Sequence, residues 1–406
     1  MKILMLCEFF DEQLDYQENL LTKYYLKYGH QVTVVTSTFD SVFELLADRH
    51  DNSVPPRTYL HGGAKVMKLR FRYNILNRLR ALTSIAQILE DEAPDLIFVH
   101  DIMLNLPEIV RYKKRHAGCR VIMDYHADYS NSGRNALSLK ILHGVCRKWF
   151  LDRARPHLAK IFPVVPASAT FLHEVYGVPR EEMELLPLGA DMDLGAEVRG
   201  RQEGQALRRS LGLSAQDLVI FSGGKLTPAK RSELLIEAVA RLPDLPLHLF
   251  LIGDAGPQDS AYKRQLEALA ADRPNVHLTG WLDRSDIHRY LDMADLAVFP
   301  ASQSILWQQA IAMGLPLIVG DTGGQDISYL NLQQNIEILP RTEIHSERIA
   351  ASIRRLAADP ARLRQMAAGA RRVADEHLDW NRLIQQTLRF NAAPGAAGAG
   401  AGSSTR

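Results

Sequence analysis

The chain has 406 residues, 46% of them hydrophobic and 23% charged, with a formal net charge of +1. That length asks for two cores rather than one, because a single core stops growing at about 250–300 residues, and the near-neutral charge excludes a global attraction to nucleic acid or acidic membranes. Cys7, Cys119 and Cys146 are too few and too scattered for a disulfide framework or a zinc knuckle, which places the protein in a reducing compartment, the cytoplasm.

In chain order, the apolar start meets Glu8, Asp11, Glu12 and Asp15 before a signal-peptide core or a membrane span is complete. Short β-rich apolar runs then alternate with segments of helical period, the pattern of parallel sheets covered by helices on both faces. Strands are expected at 2–6, 31–36, 96–99, 121–124 and 161–165, and helices at 17–28, 76–89, 137–154 and 167–176. A second series of strands follows at 218–221, 247–252, 276–278, 296–299, 317–319 and 336–339. Between its first two members, Leu234, Leu235, Ala238, Val239 and Leu242 form one apolar helical stripe. The Gly-, Gln- and Arg-rich stretch 195–212 reads as the boundary between the halves, and the Ala/Gly/Ser-rich residues 392–406 as a disordered tail.

Ligands of open α/β sheets bind beyond the carboxyl ends of the strands, so the loops there carry the functional argument. Ser222-Gly223-Gly224-Lys225-Leu226-Thr227-Pro228-Ala229-Lys230 joins a glycine pair, two cations and a helix start, a combination suited to a diphosphate leaving group; a solvated glycine turn with surface lysines is the bland alternative. The loop from Pro300 to Ser304 sets small polar residues ahead of a helix, on which the Gln309 amide would reach ribose hydroxyls. Gly320 to Asp326 repeats that device. No Gly-x-Gly-x-x-Gly follows the first strand, where Cys7-Glu8-Phe9-Phe10 stands, and neither a phosphate-binding loop ending in Gly-Lys-Ser/Thr nor a Gly-x-Ser-x-Gly elbow occurs. His100-Asp101 and His126-Ala127-Asp128 end two strands without forming a recognised metal motif.

The order of these motifs resembles the family-4 retaining glycosyltransferases. Gly29-His30-Gln31-Val32, Pro94-Asp95-Leu96-Ile97, Tyr176-Gly177-Val178-Pro179 and Leu186-Pro187-Leu188-Gly189 are similar to landmarks of that family's first half. Gly224-Lys225 with Lys230, Leu251-Ile252-Gly253-Asp254, Phe299-Pro300, Ala310-Ile311-Ala312-Met313-Gly314-Leu315-Pro316 and Gly323-Gly324 resemble those of its second. The resemblance runs to about Asn391 and implies an α/β, GT-B architecture: two facing Rossmann-like, doubly wound parallel-sheet domains with an interdomain cleft. Residues 1–195 would bind the acceptor and 196–375 the nucleotide sugar; 376–391 would form a helix crossing back to the first domain, followed by the tail at 392–406.

It further implies His126, Lys225 and Lys230 as catalytic residues, the two lysines on the donor phosphates, with Gly223, Gly224, Gly253, Gln303, Ser304, Gln309 and Gly323 completing the donor site. Asp15, Tyr16, Gln17 and His100 would face the acceptor, which is a saccharide or is lipid-linked. Transfer from a nucleoside-diphosphate sugar would retain the anomeric configuration, with no cofactor and no metal, in making a surface polysaccharide or glycolipid. Two departures stand out. The family's glutamate pair is missing, with Gln309 at the second position and Gln303 or Ser304 near the first; a Gln is uncharged and donates as well as accepts. Asp15-Tyr16-Gln17-Glu18 replaces its first Gly-Gly loop. A non-catalytic sugar-nucleotide-binding partner and a sugar-nucleotide epimerase remain the alternatives.

Lys65, Lys68, Arg70, Arg72, Arg78 and Arg80 form a stretch without acidic residues, interleaved with Phe71, Tyr73 and Ile75; Arg147, Lys148, Arg153 and Arg155 accompany Trp149 and Phe150. Each stretch fits a peripheral contact with the inner face of the membrane, at about 1 kcal/mol per surface-adjacent cation, or a solvated face over core aromatics.

Overall fold

A computed structural model describes the chain except for residues 14–15, 42–43, 46–51, 133–135, 302–303, 324–325 and 390–406. It divides into two compact units, Met1–Pro187 with the chain from Asn381 onward, and Leu188–Trp380. Among the described residues no helix is long and apolar enough to cross a membrane.

The first unit contains β1 (Lys2–Leu6), β2 (Gln31–Ser37), β3 (Arg57–His61), β4 (Ala64–Leu69), β5 (Phe71–Ile75), β6 (Leu79–Leu82), β7 (Leu96–His100), β8 (Arg120–Tyr125) and β9 (Lys160–Pro163). Seven of these make one sheet in the order β3-β4-β2-β1-β7-β8-β9, parallel throughout except that β3 runs antiparallel to β4. All five residues of β7, Leu-Ile-Phe-Val-His, are buried, as a strand covered on both faces requires.

The second unit holds β10 (Leu218–Gly223), β11 (Leu247–Ile252), β12 (Val276–Gly280), β13 (Leu296–Phe299), β14 (Leu317–Asp321) and β15 (Ile336–Pro340), all parallel in the order β12-β11-β10-β13-β14-β15. Counted from β10 this is the doubly wound order 3-2-1-4-5-6. Counted from β1, with the hairpin strands β3, β5 and β6 set aside, the first unit has the same order. Each sheet therefore has a switch point, between β1 and β7 and between β10 and β13, where the flanking loops diverge. The helix Ser232–Ala240 covers the second sheet through Leu235, Ile236, Ala238 and Val239; complete burial of a Leu or Ile contributes about 1.5–3 kcal/mol.

Three expectations are corrected. Residues 76–89 are not a helix: β5 and β6 form a hairpin, and a helix begins only at Ala86. Leu76 and Asn77 turn it with φ of 53° and 52°, and the Arg78 amide closes the turn on Ile75 O at 3.0 Å. Positive φ at both central residues defines the tight hairpin turn that fits strand twist, but a Leu in that conformation gives no sequence signal. Nor does the boundary lie in 195–212: it falls between Pro187 and Leu188, and the helices Met192–Gly200 and Glu203–Ser210 belong to the second unit, packing Val198 and Leu207 into its core. Finally, the first basic stretch is not a uniform solvated face. Lys68 is buried and ion-paired with Asp40, and Arg80 is buried against Glu8, acids that come from elsewhere in the chain.

The last described helix, Trp380–Leu388, joins the first unit from Asn381. Thr387 Oγ1 meets Tyr25 OH at 2.6 Å, and Gln386 Nε2 donates to Leu185 O at 2.9 Å. The tail at 392–406 lies outside the described residues.

Candidate functional site

In the second unit, the loop after β10 is pressed against the loop after β11. Gly224 has φ 118° and its amide donates to Ile252 O at 3.0 Å; Gly253 has φ 119° and its amide donates to Gly280 O at 2.8 Å. A Cβ on Gly253 would lie 2.1 Å from Gly224 O, and one on Gly223 would lie 2.7 Å from Ile252 O, so backbone fills the space a side chain would need. A Cβ on Gly224 would stand 3.3 Å from Ser304 Oγ and 3.9 Å from Lys230 Cε. Gly223, Gly224, Lys230, Gly253 and Ser304 thus come together beside the switch point.

Lys225 is half-buried on the same loop. Burial lowers the Lys230 ammonium to about 8, an energetic penalty that an incoming anion would relieve. The Ser304 hydroxyl accepts from the Leu306 amide at 3.3 Å at the start of the helix Leu306–Ala312. On that helix Gln309 is 3% exposed, and among the described residues neither atom of its buried side-chain amide has a hydrogen-bond partner. Such a group carries a desolvation penalty of about 1–3 kcal/mol until something polar reaches it. The Trp307 indole N–H is in the same condition. Gly323 is exposed at φ 83°, its amide taken by Asp321 Oδ1 at 2.8 Å. Gln303 lies outside the described residues.

In the first unit, the strand ends carry titratable groups instead. Asp124 Oδ2 lies 2.8 Å from His100 Nδ1 and 3.2 Å from His126 Nε2, and Asp124 is fully buried. Burial alone would raise the Asp124 carboxyl, but His100 and His126 hold it well below the usual carboxylate range. Burial likewise opposes charge on His126, yet Asp124, with Asp101 and Glu18 behind it, lifts its imidazole to about 9. His126 remains 37% exposed, so a charged ring faces solvent where a ligand could take it. Glu18, in the first turn of the helix Gln17–Lys27, is raised by burial and partly lowered again by His100.

Gln17 is 4% exposed, and among the described residues neither its amide atoms nor the buried His100 Nε2 has a hydrogen-bond partner. Tyr16 caps that helix and is 41% exposed. Asp15 lies outside the described residues. Asp124 and Glu18 were not singled out from the sequence. The available signal was an Asp closing an otherwise apolar strand.

Asp128 Oδ1 binds the Ser130 amide at 2.7 Å within its own loop, while Asp101 caps the Ile102 amide at 2.7 Å and faces Arg147. His100, Asp124 and His126 present three ligand atoms within 4.8 Å of one another, a spacing that could hold a cation. Among them the one carboxylate lies close to both imidazoles, where it stabilises charge on His126.

Residues 20–194 match the family described as Glycosyltransferase Family 4, and residues 204–373 match Glycosyl transferases group 1. A D-inositol 3-phosphate glycosyltransferase of Rhodococcus erythropolis is 26% identical over 227 residues, 52% of this chain and 49% of the relative. The chain therefore spans about half the length of the curated relatives it matches. Among solved structures, Anabaena Alr3699/HepE in complex with UDP superposes with a TM-score of 0.69 at 20% identity, over 96% of this chain and 100% of that one. WaaG, a glycosyltransferase involved in lipopolysaccharide biosynthesis, gives a TM-score of 0.60 at 17% identity, with 96% and 100% covered. At those identities the likeness is one of fold: two parallel-sheet, Rossmann-like units.

Proposed function

From the premise that the chain is a glycosyltransferase built of a family-4 domain and a group-1 domain of the GT-B fold, we propose that it moves a sugar from a nucleoside diphosphate to a saccharide or lipid-linked acceptor with retention of configuration. The observation that carries this reading is the glycine floor of Gly223, Gly224 and Gly253 beside a partly buried ammonium. A diphosphate docked beside this floor meets a cation whose desolvation it offsets, and that interaction strengthens as negative charge develops on the departing phosphate. Lys225 supplies a second cation on the same loop, Ser304 and Gln309 offer polar groups to the nucleotide, and Gln303 and Gly323 remain assigned to the same donor.

In the first unit His126 would sit by the transferred sugar, while the buried Gln17 amide and His100 ring, with Asp15 and Tyr16, would receive acceptor hydroxyls. The acceptor proton leaves with the phosphate oxygen, so no protein nucleophile and no metal is assigned. A role in surface polysaccharide or glycolipid synthesis at the cytoplasmic face of a membrane fits these expectations. The named relatives put an inositol phosphate beside saccharides among the acceptors to be tried.

The test is a thermal-shift screen against UDP, GDP, ADP and their sugars, since a ligand at about a hundred times its Kd adds roughly 2.7 kcal/mol. The donor giving the largest shift is then incubated with saccharide, glycolipid and inositol-phosphate acceptors, and the anomeric configuration of the product is read by NMR. Transfer with retention is expected; inversion would overturn the mechanism. Affinity without turnover would favour the second reading, a sugar-nucleotide-binding partner, which the neutral Gln309 in place of a glutamate motivates.

A further inference from the structure

A surface helix ordinarily turns a polar face to water. The helical run Ser138–Arg147 continuing into Lys148–Ala154 does the opposite: its inner side buries His143, hydrogen-bonded to Tyr176 OH at 2.6 Å, and Leu151, while Leu137 just before it, Ile141, Val145 and Trp149 stand 69%, 52%, 61% and 47% exposed. These four fall at every fourth position and so share one side. The tip of the β5–β6 hairpin adds Ile75 at 53% and Leu76 at 88%, and Arg147 Nη2 ties the helix to the hairpin through Arg78 O at 3.0 Å. Exposed cations surround this apolar set: Arg72, Arg78, Lys140, and Arg153, whose guanidinium lies 3.5 Å from the centre of the Trp149 ring. The one acid of the helical run, Asp152, pairs with Lys148.

We propose that this face of the first unit docks on an anionic lipid bilayer, with Leu76, Ile141, Val145 and Trp149 entering the acyl boundary and the cations meeting lipid phosphates. The charge pattern selects the occupant. Two copies of the face brought together would oppose like charges. The apolar side chains project from a hairpin tip and a helix crest, which suits a soft surface better than a rigid partner. The contact deepens the proposed function by bringing a lipid-linked acceptor to the enzyme, but it can be measured without transfer.

Full-length protein is sedimented with phosphatidylcholine vesicles and with vesicles carrying 30% phosphatidylglycerol, as wild type, Ile141→Glu/Val145→Glu and Leu76→Glu, with far-UV circular dichroism and nucleotide-induced thermal shift recorded in parallel. The expected result is wild-type binding to anionic vesicles at least tenfold tighter than to neutral ones, weakened by salt, and lost in the glutamate variants while the nucleotide shift persists. In a Trp281→Phe background, which removes the other exposed tryptophan, Trp149 emission should shift to the blue on anionic vesicles alone. Equal binding to both vesicle types, unchanged binding by the variants, or a concentration-dependent dimer that the variants abolish would overturn the proposal. A failed donor screen with intact vesicle binding would count against the function and not against this surface.

Discussion

β10 ends at Gly223 and the chain passes Gly224 to reach Lys225; after β1, in the same slot of the same strand order, it passes Cys7, Glu8, Phe9 and Phe10. The slots beyond β7 and β13 differ in the same way. One ends in His100, buried against Asp124, and the other leads through Ser304 to the Gln309 amide. One architecture thus carries two chemistries at its switch points. In the second unit missing side chains let the loops after β10 and β11 close on each other beside a desolvated ammonium, which is suited to hold an anion. In the first unit side chains fill the slots, and a carboxylate between two imidazoles is suited to hold and orient protons. The fold fixes where a ligand can bind, and residue bulk at each strand end decides whether the loops close on each other or side chains fill the slot.

Removing the cation from the glycine-rich slot should have the largest effect. Lys230→Ala is expected to lower transfer by more than about a hundredfold and nucleoside-diphosphate affinity by about 10- to 100-fold, the equivalent of a charged hydrogen bond worth about 1.5–3 kcal/mol. Initial rates and calorimetric titration with UDP would measure both, and near-native turnover would contradict the assignment. Giving that slot a side chain comes next. Gly253→Ala places a Cβ 2.1 Å from Gly224 O at a φ of 119°, so one of the two loops must move. Strain of about 1–3 kcal/mol should appear in denaturant unfolding, with about a tenfold fall in nucleotide affinity. A variant with wild-type affinity would mean that the close approach of backbone is not what binds.

The opposite slot is broken by Asp124→Asn. Burial disfavours charge on His126, and without the carboxylate that overrides this, its pKa should fall from about 9 to or below the ordinary value near 6.5. An NMR titration of the ring reads this directly, and transfer should fall by about tenfold at neutral pH. The sign for stability follows. A raised folded pKa contributes stability that is fully present below the unfolded value and is lost as pH rises through about 9, so wild type and variant should converge in stability above that pH. An unshifted His126 titration in Asp124→Asn would separate the two groups.

The strands of both sheets were legible in the sequence because buried parallel strands read as unbroken apolar runs. Residues 247–252 and 296–299 carry enough Leu, Val and Phe to fix both position and type. The hairpin at β5 and β6 was not legible, since its turn depends on Leu76 and Asn77 adopting positive φ, and its arginines imitate a helical face. At the candidate site, glycines and lysines announce themselves by type, which is why Gly223, Gly224 and Lys230 follow from the loop itself, whereas Gly253 follows only from the resemblance. Asp124 could not, because its meaning comes from being buried between rings contributed by β7 and by the loop after β8. Ion pairs across sequence distance hid the true state of Lys68 and Arg80 for the same reason: Asp40 and Glu8 are brought to them only by the sheet.

The smallest effect is the most specific test of the contrast, because it asks one group to change stability and affinity in opposite directions. Burial lowers Lys230 from an ordinary value of 10.5 to about 8. Between those values the unfolded chain holds a proton that the folded chain has released, so folding becomes more favourable as pH rises through that window. Diphosphate binding needs the ammonium and should weaken over the same range, by up to about tenfold per pH unit above 8. Lys230→Met removes both dependences while keeping the stem's bulk, so differences from that variant cancel every other titrating group. From about pH 7.5 to 9.5, wild type should gain stability relative to Lys230→Met in the absence of ligand and lose its advantage in UDP affinity. If both differences move in the same direction, Lys230 is not the desolvated cation of the donor slot, and the division of labour between the two switch points must be redrawn.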